Sequence, residues 1–155
     1  MHSYLKFENV WFHNDLIELK ITVCDGLNTF QTSVYSNYQV IEANSKKLDE
    51  FKALTDGGAT EVEFGGFGQE VEYGGFFSRM QFVPKERCQL LIFAKMETDH
   101  FDFGGETVAS KAELYLITDS EHLNDFIKNL KDIGQHQGNT AMLLCHNQWV
   151  EGECN

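Results

Sequence analysis

The sequence predicts an α+β domain: a curved, mostly antiparallel sheet of about seven strands with two helices packed on it, in the order β-β-β-α-β-β-β-β-α. Three observations predict it. Ile17, Leu19, Ile21 and Val23 alternate with Glu18, Lys20 and Thr22, the period of two of a strand with one wet face. Leu123, Phe126, Ile127, Leu130 and Ile133 instead fall at helical spacing as one continuous stripe. Between the two helical patterns, residues 60–118 read as extended segments separated by turn residues.

Taken in order, Tyr4–Phe12 is aromatic and β-branched and ends in the polar turn His13-Asn14-Asp15. Leu16–Cys24 follows, and Asp25-Gly26 is a strong hairpin signal before a third strand, Thr29–Tyr35. Leu48, Phe51 and Leu54 predict a short helix between Asn44-Ser45 as its cap and Gly57-Gly58 as its stop. Thr60–Phe67, Glu70–Val83, Cys88–Glu97 and Glu106–Thr118 are the next strands, with a turn at 84–87. Cys88–Met96 is apolar on both faces, which predicts a central strand with a helix over one side. Thr118 and Glu121 have capping-box spacing before the second helix, and Gly134 stops it. The 155 residues make a single domain, with 135–155 a partly irregular, acidic tail that holds one more apolar run, Ala141–Leu144, and Trp149.

One repeat stands out. Glu61-Val62-Glu63-Phe64-Gly65-Gly66-Phe67-Gly68 returns as Glu70-Val71-Glu72-Tyr73-Gly74-Gly75-Phe76-Phe77. Two copies are too few for a solenoid. The structural reading is two paired strands around Gly68-Gln69, with the glycines allowing bulges or bends. The functional reading is a contact surface, where glycine lets a partner approach and the aromatics supply area.

Composition narrows the function. With 12 Lys+Arg against 24 Asp+Glu the net charge is −12, which argues against a nucleic-acid binder. No apolar stretch is long enough for a membrane span, and MHSYLKFENV lacks the basic-then-apolar pattern of a signal peptide, so a cytoplasmic location is expected. The 4 cysteines form no C-x-x-C pair, and free thiols are expected, with Cys88 as core filler. Cys145 and His146, adjacent on a strand, point to opposite faces and cannot serve one site. The acids cluster: Asp56–Ser78 carries carboxylates and no Lys or Arg, and Glu97–Asp125 has Lys111 as its sole cation. Such a surface is either merely solvated or complementary to a basic protein. The residues it offers to a partner are Glu61, Glu63, Glu70, Glu72, Tyr73, Asp99, Phe101 and Asp102.

Catalytic and metal motifs are sparse. Glu97–Asp102 is rich in carboxylates but lacks EF-hand spacing, and the 6 histidines include no H-x-x-x-H pair on a predicted helix. There is no nucleophile motif, and acids on wet faces have no reason for a raised pKa. The expectation is a protein without catalytic residues, metal or cofactor, folding without disulfides. Two other functions stay open: a half-closed sheet holding a small apolar ligand, and a hydrolase using two carboxylates.

The strand Leu16–Cys24, the segment Leu48-Asp49-Glu50-Phe51-Lys52-Ala53-Leu54, the run Glu113-Leu114-Tyr115-Leu116-Ile117-Thr118-Asp119 and the stripe Leu123–Leu130 together give a layout. This layout resembles that of small acidic bacterial immunity proteins of the WapI type. The resemblance is one of apolar spacing over most of the chain, and it implies a cytoplasmic, non-catalytic inhibitor that binds a cognate toxin domain. It carries over no individual binding residue.

Overall fold

The computed structural model describes residues 2–54, 57–84 and 86–146, without the side chains of 86–88. Asp56, Lys85, Trp149, Cys154 and the Cys88 side chain therefore lie outside the described residues. The fold is α+β, as expected, but the strands form two four-stranded sheets and a small hairpin rather than one curved sheet.

The first sheet is built from β1 (Ser3–His13), β2 (Leu16–Cys24) and β3 (Thr29–Ser36), joined by the two expected turns. Asn14 takes a positive φ of 55° in the first turn. In the second, the Asp25 carboxylate accepts the N–H groups of Leu27 and Asn28. Leu5, Phe7, Ile17, Leu19, Ile21 and Val23 are fully buried, so the alternation read in the sequence is the division between core and solvent. On the wet side, Lys20 meets Glu8 across the strands at 3.6 Å.

Helix α1 (Tyr38–Phe51) starts earlier than expected, at Asn37, whose side chain accepts the Val40 N–H. Asn44 and Ser45, read as its cap, are buried in mid-helix. The buried stripe is Ile41, Asn44, Ser45, Leu48 and Phe51, and two polar residues in it break the apolar period that would have marked the first half. Leu54 lies beyond the helix and is exposed.

The second sheet has the order β4-β5-β6-β9, from β4 (Ala59–Gly65), β5 (Gly75–Val83), β6 (Glu86–Glu97) and β9 (Lys111–Asp119). Among the described residues its strand pairings are all antiparallel. Between β6 and β9 the chain makes the hairpin β7 (Phe101–Phe103) and β8 (Glu106–Val108). The second copy of the repeat does not form a strand until Gly75: Glu70–Tyr73 lie in the loop 66–74. The doubled glycines pack against each other instead. Gly65 pairs with Gly75, and the Gly66 N–H points at the Gly74 carbonyl. A Cβ at Gly65 or Gly75 would strike the backbone oxygen of Gly74 or Gly66, so here the repeat serves close backbone approach.

Helix α2 (Ser120–Lys131) is capped by Asp119, the last residue of β9, rather than by Thr118, which donates its hydroxyl to the Leu144 carbonyl. Its expected stripe, including Ile133 just past the helix, is buried throughout. The run Ala141–Leu144 is part of an edge strand, β10 (Thr140–Cys145), paired with β1, not irregular tail. The first sheet therefore has the order β10-β1-β2-β3.

The core lies between the sheets and helices. Phe7 from the first sheet meets Phe64 and Phe76 from the second and Phe126 from α2, with ring centroids 5.0–5.6 Å apart. Asn9, buried with them, donates to the Ile133 carbonyl and so holds the end of α2 to β1. Among the described residues, backbone hydrogen bonds link the two sheets at two places. The His146 N–H donates to Ile117, and the Gly74 N–H donates to Ser33. Among the described residues, no helix is long and apolar enough to cross a membrane.

Candidate functional site

The outer face of the second sheet is set by the odd-numbered residues of its strands. Its register places Glu61, Arg79, Phe93 and Tyr115 side by side, with Gln81, Leu91 and Ile117 in the row above. In the row below lie Glu63, Phe77, Lys95 and Glu113. The doubly apolar character of β6 predicted a central strand with a helix over one side; β6 is central, but this outer side is not the helix-covered one. Neither helix covers it: Leu91 is 46% exposed and Tyr115 59%. Both faces of β6 are apolar, but only the inner one meets the core. Arg79, Gln81, Leu91, Phe93, Tyr115 and Ile117 line an open groove of about 380 Å³, and the Phe93 and Tyr115 rings lie 5.4 Å apart. Opposite charges are neighbours in the register, Glu61 beside Arg79 and Glu113 beside Lys95. Lys95 also sits over the Phe67 ring at 5.0 Å, a cation–π contact.

One end of this sheet is acidic. Gly75, Glu97 and Lys111 are register neighbours, so the loop 66–74 and the hairpin that follows β6 leave from the same end. Glu97 is buried and ties them together. Its Oε2 accepts the Gly68 N–H at 3.0 Å, and its Oε1 faces His100 at 3.5 Å and Lys111 at 3.8 Å. Around it Glu70, Glu72, Asp99, Phe101 and Asp102 are exposed, and Tyr73 is half-buried with its ring against Tyr35. The Tyr35 phenol is pushed up to about 12 by its hydrogen bond to Tyr73 and by partial burial, with Glu18 and Glu72 adding negative charge.

The fold thus brings six of the eight sequence-selected residues to one end: Glu70, Glu72, Tyr73, Asp99, Phe101 and Asp102. Glu61 and Glu63 stand on the outer face of β4, exposed because Val62 and Phe64 take the core side. Glu70 and Glu72 do not share a strand face, since they lie in a loop.

A second cluster sits at the opposite end of β9. Asp119 Oδ1 caps α2 by accepting the His122 N–H at 2.9 Å. Its Oδ2 is approached by His122 Nδ1 at 2.9 Å and His146 Nε2 at 2.8 Å. Burial alone would raise the Asp119 carboxyl, but the His122 backbone and both imidazoles outweigh it and hold it below the ordinary range. This trio escaped the sequence search, which looked for two histidines on one helix. Its members come from a strand end, the first helical turn and the residue after β10. The neighbouring Cys145 thiol donates to the Leu143 carbonyl and is pushed up to about 12 by burial, with the Asp119 charge adding to it, and Cys24 and Cys145 are free.

The geometry bears on the two other functions as well. The space between the sheets is filled by the Phe7, Phe64, Phe76 and Phe126 rings, where a small apolar ligand would have to sit. Glu97, the buried carboxylate among the described residues, faces an N–H, an imidazole and an ammonium. Comparison with family models, curated proteins and solved structures finds no match to this chain.

Proposed function

We propose that this protein is a non-catalytic protein-binding domain that docks a basic partner on the outer face and acidic end of the second sheet. The observation that carries this reading is the apolar groove of Leu91, Phe93, Tyr115 and Ile117, open among the described residues and flanked by the carboxylates of Glu61, Glu63 and Glu113. Apolar surface with a charged rim is the anatomy of a protein interface: the centre supplies burial and the rim supplies partner choice. The acidic loops at the sheet end extend that rim. A basic toxin domain is the partner that the resemblance to WapI-type immunity proteins suggests, and inhibition would then follow from covering the toxin's own site.

The test is association kinetics with a basic toxin domain encoded beside this chain, at low and high salt. Binding should be fast at low salt and slow steeply as salt screens the charges. Reversing Glu61, Glu63, Asp99 and Asp102 to Lys should slow association with little change in melting temperature, because exposed charges contribute little to stability. Leu91→Arg should instead speed dissociation. Equal rates for all variants, without salt dependence, would refute the docking face.

A further inference from the structure

We propose that Asp119, His122 and His146 form a binding site for one divalent transition cation of the zinc class. Three ligand atoms, His122 Nδ1, His146 Nε2 and an Asp119 carboxylate oxygen, lie within 4.8 Å of one another. Each is held by backbone. Asp119 ends β9 and caps α2, His122 is fixed three residues on by that same cap, and the His146 N–H is bonded to the Ile117 carbonyl at 2.7 Å.

The spacing suits a small ion. Zinc bonds of about 2.0–2.2 Å in a tetrahedron place donor atoms roughly 3.3–3.5 Å apart. The two imidazole–carboxylate distances, 2.9 and 2.8 Å, need to open by about half an ångström, and the two imidazole nitrogens, within 4.8 Å of each other, need to reach the same spacing. Two imidazole nitrogens with one carboxylate oxygen favour zinc, cobalt or nickel over calcium or magnesium, which take oxygen ligands. The side chains remain accessible, at 22% for Asp119 and 34% for each histidine, so an ion can enter and a water can fill the fourth position.

The position gives such an ion a structural effect. His146 follows β10 of the first sheet, Asp119 ends β9 of the second, and the Ile117–His146 bridge is the backbone link between those strands. A bound cation would staple the two sheets and the start of α2 across this seam. The site borders the proposed docking groove at Ile117, whose carbonyl holds His146, but neither reading depends on the other.

The experiment titrates the full-length, metal-free protein with Zn²⁺ by calorimetry and with Co²⁺ by absorption spectroscopy. One equivalent should bind, raise the melting temperature, and give a visible cobalt band without a thiolate-to-metal band. His122→Ala and His146→Ala should each weaken binding at least tenfold while keeping the wild-type circular dichroism, since both retain the Asp119 cap. A His13→Ala/His136→Ala control should bind like the wild type. Failure of the wild type to bind would overturn the site. So would unchanged affinity in both single variants, or a thiolate band placing the ion on cysteine.

Discussion

The side-chain amide of Asn44 grips the backbone of Glu63. Its Nδ2 donates to the Glu63 carbonyl at 3.0 Å, and its Oδ1 accepts the Glu63 N–H at 3.4 Å. β4 is an edge strand, and a free edge offers unpaired backbone groups to any passing strand. One residue of α1 thus closes part of that edge. Asn44→Ala leaves these groups without their partner and should cost about 1–3 kcal/mol. Chemical denaturation measures it, and an unchanged midpoint would show that the grip contributes nothing.

Phe126 joins α2 to the aromatic centre of the core, its ring 5.6 Å from that of Phe7. It is fully enclosed, so removing the ring leaves a cavity. Phe126→Ala should destabilise by about 3–5 kcal/mol. A stable variant with the wild-type melting temperature would mean that the site collapses freely around the loss.

Gly74 allows the loop 66–74 to meet β3. Its N–H donates to the Ser33 carbonyl at 2.9 Å, and Thr32 Oγ1 donates to the Glu97 carbonyl at 2.8 Å beside it. A Cβ at Gly74 would collide with both the Thr32 hydroxyl and the Glu97 carbonyl. Gly74→Ala should therefore cost about 1–3 kcal/mol through overpacking. Native-state hydrogen exchange should show faster exchange at Gly68 and Gly74, because Glu97 and Ser33 hold their N–H groups. Unchanged exchange there would place the strain elsewhere.

Asp119 predicts a pH dependence. Its carboxyl is held below the ordinary value in the folded protein, so its ionised form favours folding. That contribution is complete above the unfolded pKa of about 3.9 and is lost as pH falls through the lower, folded value. Unfolding free energy measured between neutral pH and pH 3 should fall less steeply in Asp119→Asn than in the wild type. Parallel curves would show that the carboxylate has no such role.

Local pattern alone determined the first three strands, the hairpin turns, the buried stripe of Leu123, Phe126, Ile127, Leu130 and Ile133, and the outward direction of Glu61 and Glu63. Each of these depends on a period of two or 3.6 and on which side chains water rejects, and such preferences act within a few residues. Tertiary structure decided what those periods could not. Asn44 and Ser45 looked like a cap because polar residues in a helical stripe break its pattern, and only contact with β4 makes Asn44 a core-side residue. The two apolar faces of β6 predicted a helix over one side, yet apolar character does not choose the side or supply the element that would bury the other, where Leu91 and Phe93 lie. The strands divided into two sheets because pairing is chosen among distant segments, β10 with β1 and β9 with β6. Asp119, His122 and His146 share no sequence spacing that marks them as a group. They meet because the end of β9, the first turn of α2 and the residue after β10 converge at one seam, and convergence of that kind is a property of the folded chain alone.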